Sequence, residues 1–372
     1  MKRLLKMFKK CIVTGLLLIS LPFGFSQTDS TALQGGTIDA GTLDSLGLVN
    51  PEITRKYNLG VNALKSLSYM EAVQNFTEVI LMSADYTDAY YYRGVALVEM
   101  GKGTEAVPDF DKTISLDPKR DDAAAMKGFV FMGSSEYEKA IEAYDQAGKI
   151  NPTSEKYPYQ RGVAYFQLRD FEKAVAAFDK AIGLKADYAY AYNDRGSAKL
   201  ELENIDGAIL DYTAAIKYDG FLHFAYNNLG SALKAKGDFA KAETYYSEAI
   251  VRKKDYHVAY NNRGLARKEQ GKYQQALTDF ASAIELKPDY AYAYNNQAAV
   301  YIMMENYTDA VKACDKALEL NGEYMEAFVN RGIAKEMLKD VVGACADWED
   351  AFILGSETAE QYVNSPACAA NE

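Results

Sequence analysis

Between residues 53 and 358 the apolar positions return every three or four residues, the spacing of one helix face, and the whole pattern repeats every 34. Alanine stands at 72, 106, 140, 174, 208, 242, 276, 310 and 344 without a slip. Glycine keeps the same interval twelve residues earlier, at Gly60, Gly94, Gly128, Gly162, Gly196, Gly230, Gly264 and Gly332, with Ala298 in the remaining place. A fixed period of this length marks one structural unit stacked many times. Counting Gly60 as position 8 of a unit gives nine units. Position 4 is aromatic in six of them (Tyr90, Tyr192, Tyr226, Tyr260, Tyr294, Phe328). Position 24 is aromatic in eight, from Phe76 to Trp348, and position 27 is alanine in seven, from Ala147 to Ala351. Each unit has room for two helices. Gly101, Gly237 and Gly271 fall where the first should end, suited to a left-handed cap. Asp170, Asn204, Asp238, Asn306 and Asp340 follow as candidate caps of the second. One such hairpin cannot bury its apolar face alone, but stacked neighbours can.

With proline at position 32 in Pro118, Pro152 and Pro288, the skeleton resembles the tetratricopeptide repeat (TPR) family pattern W-L-G-Y-A-F-A-P over about 306 of the 372 residues. Tyrosine usually stands for the tryptophan, and arginine often for the leucine before the glycine. The resemblance implies an all-α fold: a right-handed α-solenoid superhelix of about nine helix-turn-helix units over residues 51–358, then a C-terminal cap and tail over 359–372. It also implies that the first helix of each unit lines a concave face through positions 2, 5, 6, 9, 12 and 13.

On that face position 6 reads Asn228, Asn262, Asn296 and Asn330 in the later units, position 5 reads Asn193, Asn227, Asn261 and Asn295, and position 2 supplies Tyr190, Phe224 and Tyr292. An amide carries both donors and an acceptor, so it can meet the N–H and the C=O of a peptide backbone. Repeated at each helix step of ~8–10 Å, amides form a ladder for an extended chain, and the aromatics offer anchors. The ladder position is similar to that in the repeat region of the O-linked N-acetylglucosamine transferase. The alternative is that asparagine before the glycine satisfies local backbone. The family's carboxylate clamp wants lysine at position 5, and no unit has one there, so that partner class is excluded. The expected function is a non-catalytic scaffold for a protein or peptide segment. A structural subunit of a cell-envelope assembly and an adaptor for a separate enzyme are the alternatives.

Charge and cysteine usage narrow this further. The net charge is −11, and the first 26 residues carry five basic residues and no acid. Such a field disfavours nucleic acid as a partner. Lys2, Arg3, Lys6, Lys9 and Lys10 precede an apolar run from Cys11 to Phe25, short for a membrane span and suited to a signal peptide over residues 1–26. An uncleaved anchor is the alternative; after cleavage no integral span is expected. Residues 27–50, rich in Thr, Ser, Gly and Asp, read as a linker. Export is therefore expected, and the tyrosine- and asparagine-rich repeats resemble exported repeat proteins of Gram-negative bacteria, which implies the periplasm, with secretion or the cell envelope as the alternatives. An oxidising setting permits a disulfide, either Cys345–Cys368 or Cys314–Cys345. Arg93, Arg195, Arg263 and Arg331 at position 7 share their units with Asp109, Asp211, Asp279 and Asp347 at position 23, an expected ion pair across each hairpin. His223 and His257 lie one repeat apart, too far to share a metal, and neither a cofactor nor a catalytic constellation is expected.

Overall fold

The computed structural model describes residues 50–365 and Cys368. The expected signal segment and nearly all of the expected linker lie outside the described residues. Among the described residues there are 19 α-helices and no strand. In chain order they are α1 (Pro51–Lys65), α2 (Tyr69–Met82), α3 (Thr87–Glu99), α4 (Gly103–Leu116), α5 (Asp121–Gly133), α6 (Tyr137–Ile150), α7 (Lys156–Gln167), α8 (Phe171–Leu184), α9 (Ala189–Glu201), α10 (Ile205–Tyr218), α11 (His223–Ala235), α12 (Phe239–Arg252), α13 (His257–Glu269), α14 (Tyr273–Leu286), α15 (Ala291–Met303), α16 (Tyr307–Leu320), α17 (Met325–Met337), α18 (Val341–Ile353) and α19 (Glu357–Val363). The chain divides into two compact units, one ending at Asn204 and the other beginning at Ile205. In the first, α1 to α8 pair as four antiparallel hairpins, each packed on the next, and α9 packs on α8. In the second, α11 to α18 do the same, α10 packs on α11, and α19 packs on α18.

The core of every hairpin is built from the repeat positions. All nine alanines at position 20 are 0% exposed, as are seven alanines at position 27. The aromatics at position 24 are buried between them. Glycine at position 8 is required by that ring. A Cβ on Gly60, Gly94, Gly128, Gly162, Gly230 or Gly264 would stand 2.5 to 2.8 Å from the ring sixteen residues on, closer than carbon atoms approach. Gly332 stands equally tight against Trp348. In the eighth repeat the methyl of Ala298 is present, and the residue it faces has shrunk to Cys314, which is buried and free.

Helix ends follow local chemistry. Asn50 accepts from the Glu52 N–H at 3.0 Å ahead of Pro51, as a first-turn cap should. Asp170, Asp238 and Asp340 accept from the N–H three residues on and cap α8, α12 and α18. Asn306 does not cap α16; its Nδ2 donates to Asp309 instead. Gly101, Gly237 and Gly271 adopt φ of +74°, +88° and +72°. The same position is left-handed in the other six repeats too, where Leu67, Ser135, Arg169, Glu203, Glu305 and Lys339 occupy it. There the turn's hydrogen bonds, such as Asp340 N–H to Lys335 O at 2.9 Å, hold a backbone that the side chain disfavours.

The cation at position 7 works at two seams. Within a hairpin, the guanidinium forks of Arg93, Arg263 and Arg331 meet the carboxylates of Asp109, Asp279 and Asp347 at 2.7, 2.7 and 2.6 Å, and those aspartates are almost fully buried. These are the expected pairs that lie within one unit. Between hairpins, the same position reaches sixteen residues back: Arg93 to Thr77 at 3.2 Å, Lys127 to Asp111 at 2.5 Å, Arg195 to Asp179 at 2.5 Å, Arg263 to Ser247 at 3.1 Å, Arg331 to Asp315 at 2.7 Å, and Arg161 to Asp145.

At the C-terminal end Cys345 of α18 is bonded to Cys368, 23 residues on, and Tyr362 of α19 stacks on Trp348 with ring centres 4.7 Å apart. Closing a loop of this size contributes roughly 3 kcal/mol by restricting the unfolded chain.

The glycine–ring contact makes a direct prediction. Gly264→Ala should destabilise by about 1–3 kcal/mol through overpacking, measured by urea unfolding. Phe280→Cys placed beside it, copying the Ala298–Cys314 pair, should cost less than the two single changes summed. Strict additivity would contradict the contact.

Candidate functional site

The residues at positions 5 and 6 of the first helices stand side by side on each helix, yet they meet different surroundings. In the second unit, position 6 of one repeat donates its amide to position 5 of the repeat before. Asn262 Nδ2 reaches Asn227 Oδ1 at 3.0 Å, Asn296 reaches Asn261 at 2.8 Å, and Asn330 reaches Asn295 at 2.8 Å. Three identical rungs, each spanning 35 residues, therefore tie successive hairpins together. Asn227, Asn261 and Asn295 are buried beneath them, whereas Asn262, Asn296 and Asn330 are half-buried. Asn295 also donates to the Tyr324 hydroxyl at 3.2 Å, and Asn227 lies 3.5 Å from the Asn228 carbonyl oxygen.

The amides are thus not offered twice per repeat. Position 5 is committed to the seam, because its side chain points toward the next hairpin and a buried amide needs a partner. Asn193, Asn227, Asn228, Asn261, Asn295 and Phe224 are buried, while Tyr190, Asn262, Tyr292, Asn296 and Asn330 are half-buried. Tyr292 sits between Tyr290 and Tyr324, ring centres 5.6 and 5.3 Å away. What remains for a partner in the second unit is the carbonyl oxygen and the second N–H of Asn262, Asn296 and Asn330, each with one N–H already fixed, alongside Tyr292 and the half-buried position-9 residues Ser231, Leu265, Ala299 and Ile333. Farther along the same helices, burial and the neighbouring Lys268 push the Lys234 ammonium down to about 8.

The first unit uses the same rung position with other chemistry. Tyr57 and Tyr92 meet as rings, 6.2 Å between centres. Tyr159 donates its hydroxyl to Asp194 Oδ2 at 2.8 Å, and Asn193 donates to the other oxygen at 2.9 Å. Asp194 is 1% exposed, and burial raises its carboxyl to about 6 against those two hydrogen bonds. The sequence pattern assigns position 6 either to a ligand or to local backbone and does not reveal this rung; its signal is the 35-residue spacing between Tyr159 and Asp194.

His223 and His257 are half-buried, edge-on to Tyr256 and Tyr290 at 4.9 and 5.0 Å, and burial lowers both imidazoles. Among the described residues no group of three His, Cys, Asp or Glu side chains could hold a metal ion, and no helix is long and apolar enough to cross a membrane.

Sequence profiles described as tetratricopeptide repeat match residues 57–121, 126–191, 159–223, 193–258, 257–290 and 291–324. The chain belongs to the tetratricopeptide repeat family. No curated protein matches it. Among solved structures, a TPR protein from Parabacteroides merdae ATCC 43184 is 17% identical, over 65% of this chain and 97% of its own, with a TM-score of 0.54. The APC/C hetero-tetramer Cut9–Hcn1 is 16% identical, over 84% of this chain and 63% of its own, with a TM-score of 0.55. YrrB, described as a TPR protein with an unusual peptide-binding site, is 24% identical over 50% of this chain and 96% of its own, with a TM-score of 0.43. These likenesses are of fold. TPR proteins generally mediate protein–protein interactions without catalysis.

The buried carboxylate in the TPR rung gives a pH test. Its pKa in the fold lies above the ordinary 3.8, so the fold binds the proton more tightly than the unfolded chain does. The favourable contribution is complete below the unfolded value and is lost as pH rises through about 6. Asp194→Asn, which restores the amide found in later repeats, should therefore stabilise at pH 8 by up to ~3 kcal/mol and much less at pH 4. Thermal unfolding at both pH values checks this; an equal effect at the two would contradict it.

Proposed function

We propose that this chain is an exported, non-catalytic scaffold that holds an extended peptide segment of a partner protein along the first helices of its second unit. One observation carries the reading. The position-6 amides of Asn262, Asn296 and Asn330 are each held by one N–H, which leaves three carbonyl oxygens, each beside a second N–H, in repeat register. A carbonyl oxygen has two lone pairs, and a partner's backbone N–H can use the free one. First helices of successive repeats step by ~8–10 Å and an extended chain rises about 3.3 Å per residue, so roughly every third residue would meet a rung. Because the amide orientation is set before binding, little ordering is left for the partner to impose.

The half-buried apolar positions, Leu265, Ala299 and Ile333, supply a surface for side chains between rungs. Net negative charge supports a protein or peptide over nucleic acid as partner. The Cys345–Cys368 disulfide suits an oxidising compartment, the periplasm in our reading, and accords with a signal segment over residues 1–26.

Affinity capture of the exported protein, followed by identification of the bound peptides, tests the reading when paired with the triple variant Asn262→Ala, Asn296→Ala, Asn330→Ala. Captured peptides should bind the triple variant at least tenfold more weakly, with helix content retained by circular dichroism. Unchanged peptide affinity in a folded triple variant would contradict the groove.

A further inference from the structure

One seam of the first unit departs from the repeat, and its departures converge on Arg161. In Arg93, Arg263 and Arg331 the Nε–H donates to an aspartate sixteen residues on, and the ring at position 4 lies 5.7, 5.5 and 5.4 Å from the guanidinium carbon. At Arg161 the corresponding residues are Ala177 and Pro158. Its Nη1 still holds Asp145 of α6, but its Nε is shielded from solvent and has no hydrogen-bond partner.

Beside it the packing is thinned. Position 28 is isoleucine in six repeats and Gly148 here. Tyr157 takes part of the vacated room, its Cβ 3.7 Å from where a Cβ on Gly148 would stand. The rest is a cavity of about 200 Å³, lined by Asp145, Gly148, Lys149, Pro158, Arg161 and Lys180 among others. Lys149 and Lys180 are exposed, and neither forms an ion pair among the described residues. Three cations thus face a single carboxylate, in a chain whose net charge is −11.

We propose that this seam binds a small dianionic oxyanion, a phosphate or phosphomonoester group. The lining's excess of two positive charges matches a phosphoryl dianion. The Nε–Nη2 edge of Arg161, the half of the fork that Asp145 leaves over, is planar and spaced for two oxygens. Lys149 and Lys180 are flexible point charges that can close on the remaining oxygens from the solvent side. The site uses the second helix of the third hairpin and both helices of the fourth, none of it rung or groove, so it stands independently of peptide binding.

The test titrates the full chain with inorganic phosphate at a pH where it is dianionic, against chloride at matched ionic strength. Calorimetry and the Arg161 Nε–H resonance are the readouts. One-to-one saturable binding that shifts this resonance is expected. Arg161→Gln should weaken it at least tenfold. So should Lys149→Gln with Lys180→Gln, a surface pair whose loss should leave the thermal midpoint unchanged. O-phosphoserine is the second arm: tighter binding than inorganic phosphate points to an ester as occupant, weaker binding to the free ion. Failure of both ligands to saturate, or undiminished binding in the double lysine variant, would overturn the proposal.

Discussion

A missing side chain sets the geometry of each hairpin. Where glycine stands at position 8, the ring sixteen residues later occupies the space its Cβ would need, and the two helices approach until ring and backbone touch. The eighth repeat shows that the pair is the unit of design, because Ala298 arrives together with Cys314. Alanines at positions 20 and 27 keep the rest of the interface equally thin. With helices this close, small errors in register would be felt at once, so the four hairpins within each unit share one geometry.

Fixed hairpins allow polar side chains to be aimed with equal regularity. Position 7 reaches sixteen residues forward to its own second helix and sixteen back to the neighbour's, so one arginine serves both seams. Removing one partner of such a buried pair leaves an uncompensated charge and costs about 3–5 kcal/mol, although the intact pair adds little over a well-packed apolar contact. Leu229, which occupies position 7 in the sixth repeat, fits that near-equivalence. The amide rungs follow the same logic at a spacing of 35 residues, and their repeated geometry turns a structural contact into an ordered row of acceptors.

Much of the fold is legible from the chain alone. The period, the small residues at 8, 20 and 27, and the ring at 24 name the hairpin, because each is a steric demand that few residue types meet. The forward Arg–Asp pairs were legible because acid and base co-occur within a repeat. The backward pairs were not, since the relation crosses a repeat boundary and its acceptor changes from aspartate (Asp111, Asp145, Asp179, Asp315) to hydroxyl (Thr77, Ser247). Left-handed residues such as Glu305 and Lys339 carry no local mark; turn hydrogen bonds impose that backbone. The candidate site was half legible. Asparagine at positions 5 and 6 reads as a surface for a ligand, but the burial of one amide beneath the next depends on a contact that only the stacked hairpins create.

Hydrogen exchange of the Asn262, Asn296 and Asn330 side-chain amides tests the rung directly. Each should show one slowly exchanging Nδ2 proton, held by the neighbouring asparagine, while an exposed surface asparagine such as Asn321 exchanges both rapidly. Rapid exchange of both protons at all three positions would contradict the register on which the account rests.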